Sequence, residues 1–296
     1  MVRPVRFGFN EETAANNAFQ KKSAGSQGSV QEAAIGEFNR FVALLESSGV
    51  EVVVVEDTPS PHTPDSIFPN NWFSTHATGE LVLYPMCAPN RRAERKEAPL
   101  AAIKSLGAKG LMKIVDLTEY EADGRFLEGT GSMVLDRVNK VAFVCRSARS
   151  DESVLEQFCG ELGYKYYYFD ACDRNGSPIY HTNVVMCAGD KFLVACLDSI
   201  SNKAERATFI DIAKKLEKEI VEISIRQMES FAGNMLQLKN KAKKNILVMS
   251  SAAKESLNGD QVKALKAHCK IVAPKIGTIE TNGGGSARCM IAELFF

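Results

Sequence analysis

The stretch I-Y-H-T-N-V-V-M-C, residues 179–187, opens a unit that the chain repeats. A polar turn, H-T-N, runs into an apolar strand. A second apolar run follows at 192–197. Helical spacing then spans about 202–219, and 220–225 reads as a further strand. The preceding unit opens at L-E-G-T-G-S-M-V-L-D (127–136), continues through 141–145, and predicts a helix over 151–162 and a strand over 164–170. The following one opens at F-A-G-N-M-L-Q-L (231–238), with a strand at 246–250, a helix at 253–268 and a strand at 270–273.

Working outward, P-D-S-I-F-P-N-N-W-F-S-T-H (64–76) opens another unit, with a strand at 81–84, a helix at 91–106 and a strand at 112–117. The last opening lies in E-T-N-G-G-G-S-A-R-C (280–289), followed by an apolar run at 290–296 that reads as a short buried strand. No helix follows it. An N-terminal strand at 5–9 with a long amphipathic helix at 30–47 is expected to complete that unit, and a buried strand follows at 51–56. The openings fall near 71, 129, 182, 233 and 283, a period of just over 50 residues. A fixed period of that size signals a repeat architecture. The expectation is one domain, 1–296: a five-bladed α/β propeller of ββαβ-type repeats around a central site. Radial repetition of this kind protects sheet edges. Strand–helix alternation alone suits a doubly wound sheet or a β/α barrel equally well. The paired strands before each helix favour the propeller.

Composition sets outer bounds. Formal net charge is zero, with 45% apolar and 24% charged residues, so no general electrostatic pull toward nucleic acid or membrane is expected. No signal-peptide h-region and no run of transmembrane length is seen. The eight cysteines form no C-x-x-C pair, and they read as reduced thiols of a cytoplasmic protein. The four histidines show no zinc spacing, so no metal or organic cofactor is expected.

Around a common axis the openings bring Asn70, Asn71, Glu128, His181, Asn183, Asn234 and Cys289 to one pocket. Cys289, at the lip of a glycine-rich turn, is the candidate nucleophile. It needs a base or cation beside it. His181 is the one histidine in a unit opening, and Glu128 is placed to orient it as the third member of a triad. Taken singly, each has a plain alternative: a buried structural thiol, a satisfied core histidine, a solvated turn carboxylate. Arg91, Arg92 and Arg149 follow strands or begin a helix, where positive charge is unfavourable, so they are candidates to face an anion such as a substrate carboxylate. Asp65 is a turn cap or a site carboxylate. The glycine run matches no dinucleotide or P-loop pattern.

With these motifs on the page, the chain resembles the guanidino-group-modifying, or pentein, superfamily over nearly its whole length. R-P-V-R-F-G-F-N-E-E-T-A-A-N-N-A-F-Q, the P-D-S-I-F-P-N-N-W-F-S-T-H stretch and E-T-N-G-G-G-S-A-R-C are most similar to the amidinotransferase-related branch of citrulline hydrolases. The resemblance implies the five-bladed propeller, with Cys289 as nucleophile, His181 as general acid/base and Glu128 as its partner. It implies Arg92 and Arg149 on the substrate carboxylate, and Asp65, Asn70, Asn71 and Asn183 around the reacting group. Where dimethylarginine hydrolases carry Glu and Asp, this chain has Asn70 and Asn71. Where arginine deiminases carry H-x-D, it has Asn183, and Ser150 stands where a Thr is usual.

An asparagine offers a donor and an acceptor without charge, which suits a neutral ureido group, whereas a buried cation wants a paired charge. The expected function is therefore hydrolysis of a citrulline-like small amino acid through a thioester-type intermediate, giving ornithine, carbon dioxide and ammonia. Donors near Gly283 to Gly285, or an asparagine amide, would support the developing oxyanion. The rival readings are a deiminase or amidinotransferase acting on a guanidino group, a non-catalytic ribosome-associated binding factor of the same fold, and a cysteine protease, whose local motifs are absent.

Overall fold

The computed structural model describes residues 1–107 and 110–295. Its strands fall into five sheets. A two-stranded parallel sheet pairs β1 (Val2–Arg3) with β2 (Val55–Glu56). The other four have three strands each: β3 (Phe73–Thr75), β4 (Glu80–Leu83) and β5 (Lys113–Asp116); β6 (Met133–Asp136), β7 (Val141–Cys145) and β8 (Lys165–Phe169); β9 (Met186–Ala188), β10 (Phe192–Ala195) and β11 (Glu219–Glu222); β12 (Leu236–Lys239), β13 (Asn245–Val248) and β14 (Lys270–Val272). In every one the first two strands pair antiparallel, and a helix-bearing crossover returns the third parallel to the second. The parallel pairing is why a helix must intervene. The chain is thus a mixed α/β fold built from a repeated ββαβ unit.

The helices obey local chemistry. Glu152–Leu162 starts on Asp151, whose carboxylate accepts from the Ser153 and Val154 amides, and ends on Gly163 in the left-handed conformation. Lys203–Lys215 starts on Asn202 in the same way. The long helix Gln27–Ser47 starts on Ser26. It buries Val30, Ala34, Phe38, Phe41, Val42 and Leu45 against Ile276, Ile279, Met290 and Ile291. Glu37 on that helix accepts from the Thr278 and Ile279 amides, tying it to the start of the helix Gly277–Gly283. The two ends of the chain therefore pack on each other.

Several expected elements differ. The run expected as a strand at 290–296 is buried irregular chain as far as Ile291; Phe296 lies outside the described residues. The N-terminal strand is Val2–Arg3 rather than 5–9, and residues 51–54 lie outside any strand before β2, with Glu51 exposed and 52–54 half-buried. The helix expected over 91–106 is two, Pro89–Arg92 and Glu97–Leu106, because Arg95 and Lys96 turn aside to Glu121 and Asp57. The helix expected over 253–268 breaks into Ser251–Ser256 and Gly259–His268, where Asn258 and Gln261 form a capping box. Among the described residues no helix is long and apolar enough to cross a membrane.

Candidate active site

Each three-stranded sheet is entered through a short turn, and these turns meet. Pro69–Asn71, Gly129–Ser132 and Thr182–Val185 are single helical turns that pack on one another. Hydrogen bonds run from turn to turn in chain order. Asn70 Nδ2 donates to Thr130 Oγ1 (3.3 Å), and Asn183 Nδ2 to Thr130 O (3.2 Å). Asn234 Nδ2 donates to Asn183 O (3.0 Å), and the Arg288 amide to Asn234 Oδ1 (3.1 Å). Phe68 then lies against Gly283 and Gly285, joining the last opening to the first.

Cys289 sits in the last of these turns, 4% exposed. Its Sγ receives the Asn234 amide nitrogen at 3.3 Å and that of Asn183 at 3.5 Å. Two side-chain amide nitrogens thus point at one sulfur. The glycine run beside it is the end of a helix rather than an open turn. Gly284 takes φ +62°, its N–H closes on Glu280 O, and its carbonyl accepts from Asn17 Nδ2 and Tyr180 Oη. The Gly284 amide is therefore engaged and does not face the thiol.

His181 Nε2 lies 2.8 Å from Glu128 Oε2. Glu128 is fully buried and also accepts from the Cys87 amide (3.0 Å) and Arg149 Nη1 (3.3 Å). Burial alone would raise the Glu128 carboxyl. The Arg149 charge, the His181 hydrogen bond and Arg91 outweigh it and hold the group below the ordinary carboxylate range. Burial lowers His181 to about 4, with Glu128 pulling upward and Arg149 and Arg91 downward. The imidazole is thus neutral at pH 7. Its Nε2–H faces the carboxylate, and Nδ1 stands free beside Gly131 and Asn71.

Of the candidate binding residues, Asn70, Asn71 and Asn183 sit in these turns, and Asp65 lies just before the first. Asp65 Oδ2 accepts from Asn10 Nδ2 (2.7 Å) and Thr13 Oγ1 (3.1 Å). Burial raises Asp65 while Arg91 and those two bonds oppose it, so the carboxylate lacks a full counter-charge. Asn71 Oδ1 accepts from Arg91 Nη1 (2.8 Å). Among the described residues, four buried side-chain atoms have no hydrogen-bond partner: Asp65 Oδ1, Asn70 Oδ1, Asn71 Nδ2 and Asn183 Oδ1. Buried polar atoms are paired in almost every case, so four orphans in one cluster mark a place prepared for something else.

The two arginines expected on a substrate carboxylate differ. Arg149 is buried and engaged on Glu128, on Asn16 Oδ1 (3.0 Å from Nε) and on Thr13 O (3.1 Å). Arg92 is partly exposed. It holds the Met86 and Cys87 carbonyls, lies 3.7 Å from Glu121 Oε2, and is 5.7 Å from the Phe126 ring centroid. The sequence puts Asn234 in the pocket without assigning it a contact, although it occupies in its unit the place that Asn183 occupies in the preceding one. Thr130 is not singled out there, and Asn10, Thr13 and Asn16 enter only as part of the N-terminal stretch that carries the resemblance, with no role of their own. Among the described residues no cluster of three or more His, Cys, Asp or Glu is placed to hold a metal ion.

The profile of the family described as N,N dimethylarginine dimethylhydrolase, eukaryotic, matches residues 3–296. The chain belongs to this family. It is a hydrolase of the pentein superfamily. No curated protein sequence matches this family member. Among solved structures, it is similar to the N-terminal domain of ArgZ, an arginine dihydrolase from the ornithine-ammonia cycle in cyanobacteria. The TM-score is 0.74 at 15% identity, over 100% of this chain and 98% of that one. Unliganded AgrE gives a TM-score of 0.74 at 16% identity, over 98% of this chain and 38% of that longer one. A dimethylarginine dimethylaminohydrolase adduct with 4-chloro-2-hydroxymethylpyridine gives 0.61 at 14% identity, over 88% and 90%. At such identities the structural likeness is one of fold.

Proposed function

We propose that this dimethylhydrolase-family chain hydrolyses the guanidino group of a free amino acid of the arginine class through a covalent bond to Cys289. The observation that carries the reading is the set of four unpartnered atoms, three acceptors and one donor. The acceptors are not interchangeable with amide nitrogens. Asn183 Nδ2 faces a carbonyl, and Asn70 Nδ2 faces a threonine oxygen that itself donates to Asn70 O, so each Oδ1 is the free end. A guanidinium is planar, cationic and all donor, and it supplies the counter-charge that Asp65 lacks. Methylated nitrogens would leave acceptors unpaired, which puts arginine ahead of dimethylarginine. Arg92, partly exposed, is assigned to the substrate carboxylate.

In the proposed reaction His181 Nδ1 takes the Cys289 proton and the sulfur attacks the guanidino carbon. A C–S bond forms, a C–N bond breaks, and the His181 proton leaves with the nitrogen as ammonia. Water then gives a proton to His181 and attacks the same carbon. The C–S bond breaks, the thiol is restored and a ureido product remains. Asn183 and Asn234 support the sulfur anion, and Glu128 orients His181. The same reading takes 1–296 as one domain with its five sheets in a ring, supported by the hydrogen bonds that pass from opening to opening.

A second reading rests on the single free donor, Asn71 Nδ2, which a ureido oxygen needs and a guanidinium does not. A second hydrolysis would then convert the ureido group to an ornithine-type amine, carbon dioxide and ammonia. Acceptors outnumber donors, so the guanidino substrate comes first and the ureido second, the reverse of the order read from the asparagines in the sequence. The test offers arginine, dimethylarginine and citrulline side by side, with ammonia, methylamines and ornithine assayed. Ammonia from arginine is expected. Turnover of citrulline alone would replace the first reading with the second, and silence on all three would overturn both.

A further inference from the structure

Arg288, in S-A-R-C-M immediately before Cys289, is a buried cation that the proposed chemistry does not use. It is 8% exposed. Among the described residues its side chain makes one hydrogen bond, from Nη1 to Ile291 O (3.0 Å), and the one carboxylate within reach is Glu293, 4.0 Å from Nη2. Nε and Nη2 donate to nothing among the described residues, yet neither is sealed inside protein. Burial pulls the Arg288 guanidinium below its ordinary range, with Glu293 opposing. A buried charge held this loosely is costly unless something else pairs with it.

Open space lies beside it. A cavity of about 710 Å³ is bounded by Arg288, by the entering strands β6, β9 and β12, and by residues 291–295. That is the size of an ordinary small-molecule site, about 300–1,000 Å³. Val134, Met186, Leu236, Ile291 and Phe295 give it an apolar wall. Thr130 and Asn183 also border it, whereas Asp65, Glu128, His181 and Cys289 do not, so it adjoins the openings apart from the reacting groups. Arg137 is the second guanidinium on the wall. It donates to Thr75 O (3.2 Å), lies 3.5 Å from Glu293 Oε2 and stands 4.2 Å from the Phe295 ring centroid. Two guanidiniums thus share one carboxylate. Of the other acidic residues on the wall, Asp136 is held by Lys218 (3.0 Å), Asp190 lies 3.7 Å from Lys239, and Glu51 is exposed.

We infer that this cavity is a second binding site, for a monocarboxylate with an apolar body such as a medium-chain fatty acid, and that its occupancy is felt at Cys289. The carboxylate takes the free Nε and Nη2 edge of Arg288, a planar fork that matches it, and the chain lies on the apolar wall. An amino acid would bring its ammonium group toward two guanidiniums, so the site differs in chemistry as well as in place from that of the proposed substrate. The link to Cys289 is short. The Arg288 amide donates to Asn234 Oδ1 (3.1 Å), and Asn234 Nδ2 lies 3.3 Å from Cys289 Sγ. A carboxylate on Arg288 also neutralises the cation next in sequence to the sulfur, which disfavours a thiolate there. Asp65, Asn70 and Asn71 do not border the cavity, so kcat falls while KM stays.

Octanoate is the probe, with octanamide, which lacks the charge, and inorganic phosphate, which lacks the apolar body, as controls. Calorimetry reads binding to the parent, to Arg288→Gln and to Leu238→Trp, with thermal midpoints to show that each is folded. Leu238 is half-buried on the cavity wall, so a tryptophan there takes up space and leaves the charge in place. Octanoate is expected to bind the parent. Both controls, and octanoate on either variant, should bind about tenfold more weakly or worse, the scale of a lost charge-assisted hydrogen bond. With octanoate saturating, kcat on arginine should fall about fivefold or more at unchanged KM, the scale of coupling between linked sites. No binding to the parent, or binding unchanged in both variants, overturns the site. A raised KM at unchanged kcat puts octanoate in the catalytic pocket and overturns it too. Phosphate as tight as octanoate overturns the ligand class, and binding that leaves kcat and KM unchanged overturns the link to Cys289. A parent that turns over no substrate overturns the functional reading, and the calorimetry still decides the site.

Discussion

Replacing Gly131 by alanine should silence the site while leaving the fold in place. Gly131 lies in the helical turn Gly129–Ser132 and is not among the residues of positive φ, so alanine meets no backbone penalty there. The difficulty is what a Cβ would touch: Asn71 Nδ2 at 2.2 Å, and Cε1 and Nδ1 of His181 at 2.8 Å. Ordinary contacts begin near 3.4 Å. Asn71 would have to give by roughly 1 Å and His181 by about half that, and neither is loose. Arg91 holds the first and Glu128 the second, each at 2.8 Å. Overpacking of this kind costs about 1–3 kcal/mol of stability. A displacement of about 1 Å at the reacting groups costs on the order of 100-fold in rate. The expected result is kcat/KM down about 100-fold with a folded protein. Gly160→Ala is the control. It lies inside Glu152–Leu162 with nothing within 4 Å of its Cβ, so it should gain about 0.5–1 kcal/mol and keep full activity. Ammonia release and thermal melts on the three proteins decide the matter. Gly131→Ala activity within about twofold of the parent would refute the placement of His181 and Asn71 around a common reacting atom.

Two further outcomes follow from the buried charges. Asp65→Asn can keep its bonds from Asn10 and Thr13 through one oxygen, but it turns an N–H toward the pocket in place of Oδ1. Arginine turnover should fall about 100-fold while a ureido substrate loses about tenfold or less, a split read from kcat/KM on both; equal losses would remove Asp65 from charge recognition. His181 is held neutral down to about 4 in the fold against 6.5 in the unfolded chain, so between those values the unfolded state binds more protons and stability falls as pH falls. The contribution is of order 3 kcal/mol. Denaturant melts from pH 7 to pH 4 should show this loss, and His181→Asn should flatten it. The acid limb of kcat/KM is likewise expected near 4, and a limb at 6–7 would show that His181 titrates as an ordinary imidazole.

Much of this was legible in the residues because the repeat imposes the same polar opening before the same apolar strand. Strands β6 to β14 lie within two or three residues of where alternation and apolar runs put them. The failures have physical causes. Met290 and Ile291 are as apolar and as buried as strand residues, but they are buried by the long N-terminal helix rather than by strand neighbours, and composition does not distinguish the two. The break at Asn258 was readable, since N-x-x-Q at a helix start is a capping box, but continuous helical spacing on both sides masks it. Arg91 and Glu94, three apart on a polar stretch, look like a surface pair. Only the fold shows that both are buried under the turn that carries Asn71. Asn10, Thr13 and Asn16 carry no periodic signal, and their meaning lies entirely in reaching Asp65 and Arg149 across the chain.

The asparagines at the unit openings serve two ends with two atoms. In Asn70 and Asn183 the amide nitrogen is committed to the neighbouring turn, which leaves the oxygen for the pocket; in Asn71 a guanidinium takes the oxygen and leaves the nitrogen. Asn234 has both atoms engaged, its nitrogen on Asn183 O and near Cys289 Sγ and its oxygen on the Arg288 amide, so it presents nothing further. At Asn70, Asn183 and Asn234 a carboxylate has no N–H with which to bind the neighbouring turn, and an apolar residue has neither atom; at Asn71 a carboxylate would still accept from Arg91. At those three places the amide is therefore a structural requirement as well as a chemical one. This weakens any inference of substrate charge from amide-for-acid replacement alone. Which end of each amide is left over is the stronger guide to the substrate, and that is set by neighbours such as Thr130 and Arg91 that lie outside the motif.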